Sequence, residues 1–254
     1  MRNIILGMSA FALAAVATPA LAEEAAPAVT VSGSATVVSD YRFRGISQTD
    51  KGFAVQAGFT VAHSSGLYAS VWGSSVDEYV AAGSDQEIDL IAGYKTTLGS
   101  TTIDAGVLYY FYPGSGDIIP GYNSDFFEPY VSVSQAFGPV TAKVTANYAP
   151  KQKALALVHT KDDNLYGALD LSAGIPDTGI SLSAHLGHNF SDDSFLSAGK
   201  DYTDWSLGAS YAWKNLTFGV SYVDTNFAKG AFTWPLSGKD EAKAGVVGSL
   251  SVSF

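Results

Sequence analysis

From Val29 onward the chain alternates apolar residues with small or polar ones, a period of two rather than 3.6. Val29, Val31, Ala35 and Val37 alternate with Thr30, Ser32, Ser34 and Thr36. Phe53, Val55, Ala57, Phe59 and Val61 form the next apolar set. Ile88, Leu90, Ala92 and Tyr94 alternate with Glu87, Asp89 and Lys95. Similar sets run Ile103 to Phe111, Val140 to Tyr148, Leu165 to Leu171, Ile180 to Leu186, Trp205 to Trp213, Leu216 to Tyr222 and Val246 to Phe254. Leu67 to Ser75 and Phe126 to Phe137 are less regular strands. The pattern predicts 12 strands, and an even number suits a bacterial single-chain barrel.

The connections alternate in length. Residues 63–66 (HSSG), 98–100 (LGS), 137–139 (FGP), 176–179 (PDTG) and 214–215 (KN) carry the Gly, Pro, Asn and Asp chemistry of tight turns. Between them come longer loops around 45–52, 77–85, 113–125, 151–163, 191–201 and 227–242. Short turns at one end and long loops at the other predict an all-β, transmembrane antiparallel β-barrel with its turns in the periplasm. In hydrocarbon an open sheet edge strands its backbone polar groups, so the first strand is expected to pair with the last.

The two faces of such a wall meet different solvents. Along SDYRFRG (39–45), extending the strand's parity puts Tyr41 and Phe43 on the face of the valines. Asp40, Arg42 and Arg44 then share the other face with Glu87, Asp89, Lys95, Asp104, Glu128, Lys143, Asp170, His185 and Asp204. A Lys or Arg at mid-depth on a lipid face costs roughly 2–4 kcal/mol, and the apolar face is almost free of charge. Aromatic residues fall near strand ends on that face: Tyr41, Phe43, Tyr109, Phe111, Tyr148, Trp205, Tyr211, Trp213, Tyr222 and Phe254. They are expected to form interfacial girdles.

Composition sharpens this picture. Of 254 residues, 15% are charged, and the net charge of -10 argues against nucleic acid as a partner. Residues 1–22 read as a signal peptide: Arg2, an apolar run from Ile4 to Ala17, and the small-x-small site Ala20-Leu21-Ala22. Residues 23–28 form a leader and 29–254 the barrel. After Ala22 no apolar stretch reaches the roughly 18 residues of a transmembrane helix. The chain is read as exported yet has no cysteine, so disulfides contribute nothing to its stability.

The leading candidate site is the lumen, with Asp40, Arg42, Arg44, Glu87, Asp89, Lys95, Asp104, Glu128, Lys143, Asp170 and Asp204 as pore-lining residues. Acids outnumber bases among them, which implies a mild cation preference. Arg42 and Arg44 either line a constriction near the mouth or brace the lumen by pairing with Glu87, Asp89 and Glu128. Enzymatic function is not expected. His63-Ser64-Ser65 is the one adjacent His/Ser cluster, and it falls in a short turn, away from where an outer-membrane lipase acts. No metal or cofactor is expected. His185 and His188, three apart on a strand, face opposite sides, and His159 lies in an acidic loop with Asp162 and Asp163. The loop from Phe227 to Ala242 is a candidate plug or receptor surface, as in a non-conducting binding or structural barrel.

The stretch SDYRFRGISQTD (39–50), just after the first strand of a signal-peptide-bearing barrel, resembles the segment shared by the TorF family of porin-like proteins. That resemblance implies an outer-membrane location and a porin-like role, and it supplies no catalytic residues. The expected function is passive diffusion of small hydrophilic solutes or ions. Expected partners are outer-membrane lipid and lipopolysaccharide, and, during biogenesis, periplasmic chaperones and the barrel-assembly machinery. The last strand, ending Val252-Ser253-Phe254, resembles the segment which that machinery recognises.

Overall fold

The computed structural model describes residues 27–117, 121–157, 159–197 and 199–254, with two short paired segments, Ile5–Leu6 and Ala12–Leu13. Apart from that pair, the expected signal peptide (1–22) lies outside the described residues, as does most of the leader. Twelve strands form a closed barrel: β1 (Val29–Val38), β2 (Ala54–His63), β3 (Leu67–Ser75), β4 (Gln86–Leu98), β5 (Thr101–Phe111), β6 (Phe126–Phe137), β7 (Val140–Gln152), β8 (Asp162–Gly174), β9 (Ile180–Asn189), β10 (Tyr202–Trp213), β11 (Leu216–Thr225) and β12 (Gly245–Ser253). Each strand pairs antiparallel with its sequence neighbours, and β12 pairs with β1 to close the wall. Among the described residues no helix is long and apolar enough to cross a membrane; strands are the elements that could do so.

The period-two pattern becomes two faces. Val31, Val55, Val144, Leu207 and Val246 point outward, each more than half exposed. The alternate positions point inward, where hydroxyl pairs bridge neighbouring strands: Thr36 with Ser251 at 2.9 Å, Thr60 with Ser70 at 2.6 Å, Thr97 with Thr102 at 3.0 Å. A one-residue slip in register would exchange these faces, so the alternation itself fixes the pairing.

Local chemistry sets the ends of the pairing. Lys214 and Asn215 make the β10–β11 turn, with Lys214 at φ 56. In β6, Pro129 has no N–H, and registered pairing with β7 stops at the adjacent Tyr130–Asn147 pair. Beyond it the Gln152 amide stands in for a strand backbone. Its Oε1 accepts from Phe127 N–H at 3.0 Å and its Nε2 donates to Phe127 C=O at 2.9 Å. The seam is the shortest pairing in the wall, Ser249–Ser253 against Ser34–Val38. It is extended at both ends, by Gly33 N–H to Phe254 C=O at 2.9 Å and by Ser39 N–H to Gly248 C=O at 2.9 Å.

Candidate functional site in the barrel lumen

After Val38 the chain leaves the wall and turns into the barrel. Arg42–Phe43 and Ile46–Ser47 pair as a two-stranded hairpin. Its turn needs positive φ at Arg44 (48) and Gly45 (82). A Cβ on Gly45 would lie 2.6 Å from Thr225 Cγ2 and 2.8 Å from Asp204 Cβ, so glycine is required both for the conformation and for the close approach to the wall.

Charge holds the hairpin in place. The Asp40 carboxylate accepts from Arg42 Nε at 2.6 Å and from Ser47 Oγ at 2.6 Å. Arg42 Nη1 donates to the carbonyls of Gly45 (3.0 Å), Glu241 (3.0 Å) and Lys243 (3.1 Å), tying the hairpin to the loop between β11 and β12. Arg44 reaches across the lumen. Its Nη2 donates to both carboxylate oxygens of Glu128 at 2.7 Å. Its guanidinium lies 4.7 Å from the Phe43 ring centroid and 4.2 Å from that of Tyr166. Tyr202 Oη donates to Arg44 C=O at 3.1 Å. Arg44 is 4% exposed and Glu128 0%, so the ion pair is sealed from solvent.

Tyr41 and Phe43 therefore correct the expected girdle. Tyr41 is buried inside the barrel, where its hydroxyl donates to Glu87 Oε1 at 2.8 Å and its ring meets Trp72 edge-on at 5.5 Å. Phe43 packs edge-on to Tyr110 at 6.0 Å. Parity propagates only along an unbroken strand, and the wall ends at Val38. The remaining aromatics of that set, Tyr109, Phe111, Tyr148, Trp205, Tyr211, Trp213, Tyr222 and Phe254, lie on the outer face or at its rim, and all but the half-buried Trp205 are exposed.

The charged set is inside, and most of it is partnered. Glu87 takes a second hydroxyl from Tyr112 at 2.9 Å. Glu128 also accepts from Asn147 Nδ2 at 3.1 Å. Nearer the short turns, Lys95 pairs with Asp104 at 3.1 Å, and Tyr68 Oη donates to Asp104 Oδ1 at 2.8 Å while touching the Tyr130 hydroxyl. His185 bridges two acids, Nδ1 to Asp170 at 2.6 Å and Nε2 to Asp204 at 3.1 Å, and Tyr166 Oη joins Asp204 at 3.0 Å. Lys143 is buried on the same face, across from Asp170 on β8. Asp40, Arg42, Arg44, Glu87 and Glu128 are thus each paired within the lumen.

The inner-face aromatics were not anticipated. Trp72, Tyr110, Tyr112, Phe126, Tyr130 and Tyr202 are buried and, with the hairpin and Leu155, fill the lumen toward the long-loop end. Their sequence signal was available, since Tyr110 follows the parity of Asp104 and Tyr130 that of Glu128. What remains open near the hairpin is a cavity of about 60 Å³, bounded by Phe43, Arg44, Asp89, Tyr110, Lys143 and His185 among others. A second, of about 70 Å³, lies between the hairpin and the long loops, against Ile46, Tyr79 and Leu155. The loop from Phe227 to Ala242 contributes to this end: Lys239 Nζ pairs with Asp50 at 2.8 Å, and Phe232 lines the second cavity. Glu241 in that loop is buried, and its burial, with the Asp50 carboxylate beside it, raises its pKa to about 7.

Elsewhere, His63 Nδ1 and Ser65 Oγ meet at 2.8 Å in an exposed short turn. His159 Nδ1 lies 2.8 Å from Asp162 Oδ1. His188 faces away from His185, toward Thr203 and Phe190.

A family model described as "Bacterial protein of unknown function (Gcw_chp)" matches residues 22–254. No curated protein matches the chain. Among solved structures, the NanC porin is 14% identical with a TM-score of 0.52, covering 89% of this chain and 99% of its own. A structure from work on the in-meso crystallisation of membrane proteins is 9% identical with a TM-score of 0.53, covering 88% of this chain and 83% of its own. An outer-membrane channel from Pseudomonas putida F1 is 11% identical with a TM-score of 0.48, covering 91% and 96%. At these identities the first two likenesses concern the fold alone.

Proposed function

The chain belongs to the Gcw_chp family of bacterial proteins, and we propose that it is a porin-like barrel of the outer membrane that passes small hydrophilic solutes or ions, its lumen narrowed by the hairpin at 42–47. One observation carries this reading: a closed wall whose outer face is apolar and whose inner face is polar and charged, the sorting a water-filled path through lipid requires. The resemblance of residues 39–50 to the TorF family supports the same assignment. In this reading residues 1–22 direct export, the short turns face the periplasm, and the long loops meet lipopolysaccharide. Periplasmic chaperones and the assembly machinery act on the chain during insertion.

The wall and hairpin together bring Asp40, Glu87, Asp89, Asp104, Glu128, Asp170 and Asp204 into the lumen against Arg42, Arg44, Lys95 and Lys143, so cations are favoured in transit. A second reading has its own observation. The sealed Arg44–Glu128 pair and the packed aromatics around it suit a barrel that does not conduct and acts as a binding or structural protein. Planar-bilayer recording of the refolded, heat-modifiable protein decides between them. Discrete conductance steps, with a reversal potential in asymmetric salt that favours cations, are expected of the channel. A silent bilayer supports the second reading, and liposome swelling with sugars, amino acids and small acids identifies what passes.

A further inference from the structure

Three carboxylates lie close together at the filled end of the lumen, and they are treated differently. Glu87 receives two tyrosine hydroxyls. Glu128 receives Arg44, with Asn147 and Tyr110 besides. Asp89, two residues from Glu87 on β4, is 7% exposed, and its Oδ1 is buried with no hydrogen-bond partner. Buried carboxylates are normally paired, and this one borders the 60 Å³ cavity.

Its surroundings specify what could satisfy it. On the flanking strands Asp89 stands opposite Trp72 of β3 and Tyr110 of β5. Tyr41 and Phe43 of the hairpin border the same cavity, as do Ile91 and Leu108. Arg44, Lys143, Asn147, Asp170 and His185 border other sides of the cavity, and one buried carboxylate oxygen without a partner, Asp89 Oδ1, set among aromatic rings is poor equipment for a bare metal ion, which takes several oxygen ligands. Among the described residues no group of three or more His, Asp or Glu side chains is placed to hold one. The same arrangement suits an organic ammonium ion, whose N–H groups donate to the carboxylate while its carbons and positive charge lie against the rings. The volume has room for about four water-sized positions, enough for a short-chain amine. Around the cavity Glu87, Asp89, Glu128, Asp170 and Asp204 outnumber Arg44, Lys143 and His185, so a bound cation also reduces a local excess of negative charge.

We infer that the lumen holds a binding site for a small organic ammonium ion, with Asp89 as its counter-ion and Trp72, Tyr41 and Tyr110 as its walls. The inference deepens the solute-path reading, on which it rests for access of the ion to the cavity, and binding is measurable whether or not the barrel conducts. The test is isothermal titration of the refolded full barrel in detergent with ethylammonium chloride, at an ionic strength held constant with sodium chloride. Saturable binding is expected. Asp89→Asn, which keeps the shape and removes the charge, is expected to weaken it about tenfold or more, the scale of one charge-assisted hydrogen bond. Asp177→Asn, in an exposed short turn away from the cavity, should leave affinity within about twofold, since exposed or distant charges contribute little. Heat-modifiability on gels shows that each variant is folded. Trp72→Leu, which keeps the carboxylate and removes one wall, should favour sodium relative to ethylammonium.

Absence of saturable binding to the wild-type barrel would overturn the site, as would equal affinity in Asp89→Asn, or displacement by sodium as readily as by ethylammonium. Conductance without ammonium binding removes this inference and leaves the channel. Binding to a silent barrel does the reverse.

Discussion

The Arg44–Glu128 pair gives the most direct test of the structure. Both side chains are almost wholly removed from solvent, 3% and 0% exposed, and joined at 2.7 Å. Removing one partner leaves the other's charge buried and uncompensated, a loss of about 3–5 kcal/mol in comparable pairs. Arg44→Met should fall at the lower end, because Glu128 keeps its contacts with Asn147 and Tyr110. Glu128→Met should also be moderated, because the Phe43 and Tyr166 rings still face the guanidinium, each contact contributing about 0.5–2 kcal/mol. Arg44→Met/Glu128→Met removes both charges and replaces them with side chains of similar length. It should lie within about 2 kcal/mol of wild type, because a buried pair and an apolar isostere are often near balance. The assay is urea unfolding in lipid vesicles, followed by tryptophan fluorescence, for all four proteins. Single variants that each lose less than about 1 kcal/mol would refute the view that this pair anchors the hairpin in a dry site, and so would a double variant that loses the full sum. In bilayers the same single variants should show larger or noisier steps, as the hairpin loosens from the far wall.

Three further outcomes follow from other parts of the molecule. Leu207→Arg, on the outer face, should cost roughly 2–4 kcal/mol of barrel stability in the same vesicle assay, whereas Ser210→Lys on the inner face should cost about 1 kcal/mol or less. Gly45→Ala should destabilise the hairpin by about 1–3 kcal/mol, from the positive φ and the approach of Thr225 and Asp204, measurable as lower urea midpoints. Glu241 is held neutral at low pH and charges near pH 7, above its ordinary range, so its contribution to the docked loop is full below about pH 4.5 and lost as pH rises through about 7. Amide exchange across residues 229–243, corrected for its intrinsic rate, should therefore be slower at pH 5.5 than at pH 8, and Glu241→Gln should flatten that difference.

The wall was readable in the sequence because two-residue periodicity is a geometric property of strands, and the large outward side chains of this wall are apolar. Leu67–Ser75 and Phe126–Phe137 emerged as strands with those bounds even though their alternation is weak. The short turns were likewise set by local chemistry. The interior was less legible. Nothing in the parity of Tyr41 and Phe43 says that the strand has ended; that information lies in Ser39, whose N–H and Oγ bond Gly248 across the seam, and in the Arg44–Gly45 turn. The choice between bracing and lining for Arg44 depends on a residue 84 positions away, a contact that no local pattern encodes. Asp89 and Glu87 look alike in sequence. Only the placement of Tyr41 and Tyr112 distinguishes a carboxylate with both oxygens bonded from one whose Oδ1 has no partner.

The seam between β12 and β1 bears on how the molecule is made. Ser39 both extends that short pairing and begins the inward hairpin, and Arg42 is fastened to carbonyls of Glu241 and Lys243, just ahead of β12. The inward hairpin is thus tied to the last stave. During synthesis the hairpin emerges early, but the carbonyls that hold Arg42 do not exist until almost the whole chain has followed. A nascent barrel would have to keep this early segment waiting, and sealing the cylinder and fastening Arg42 inside it would be completed in one concerted event.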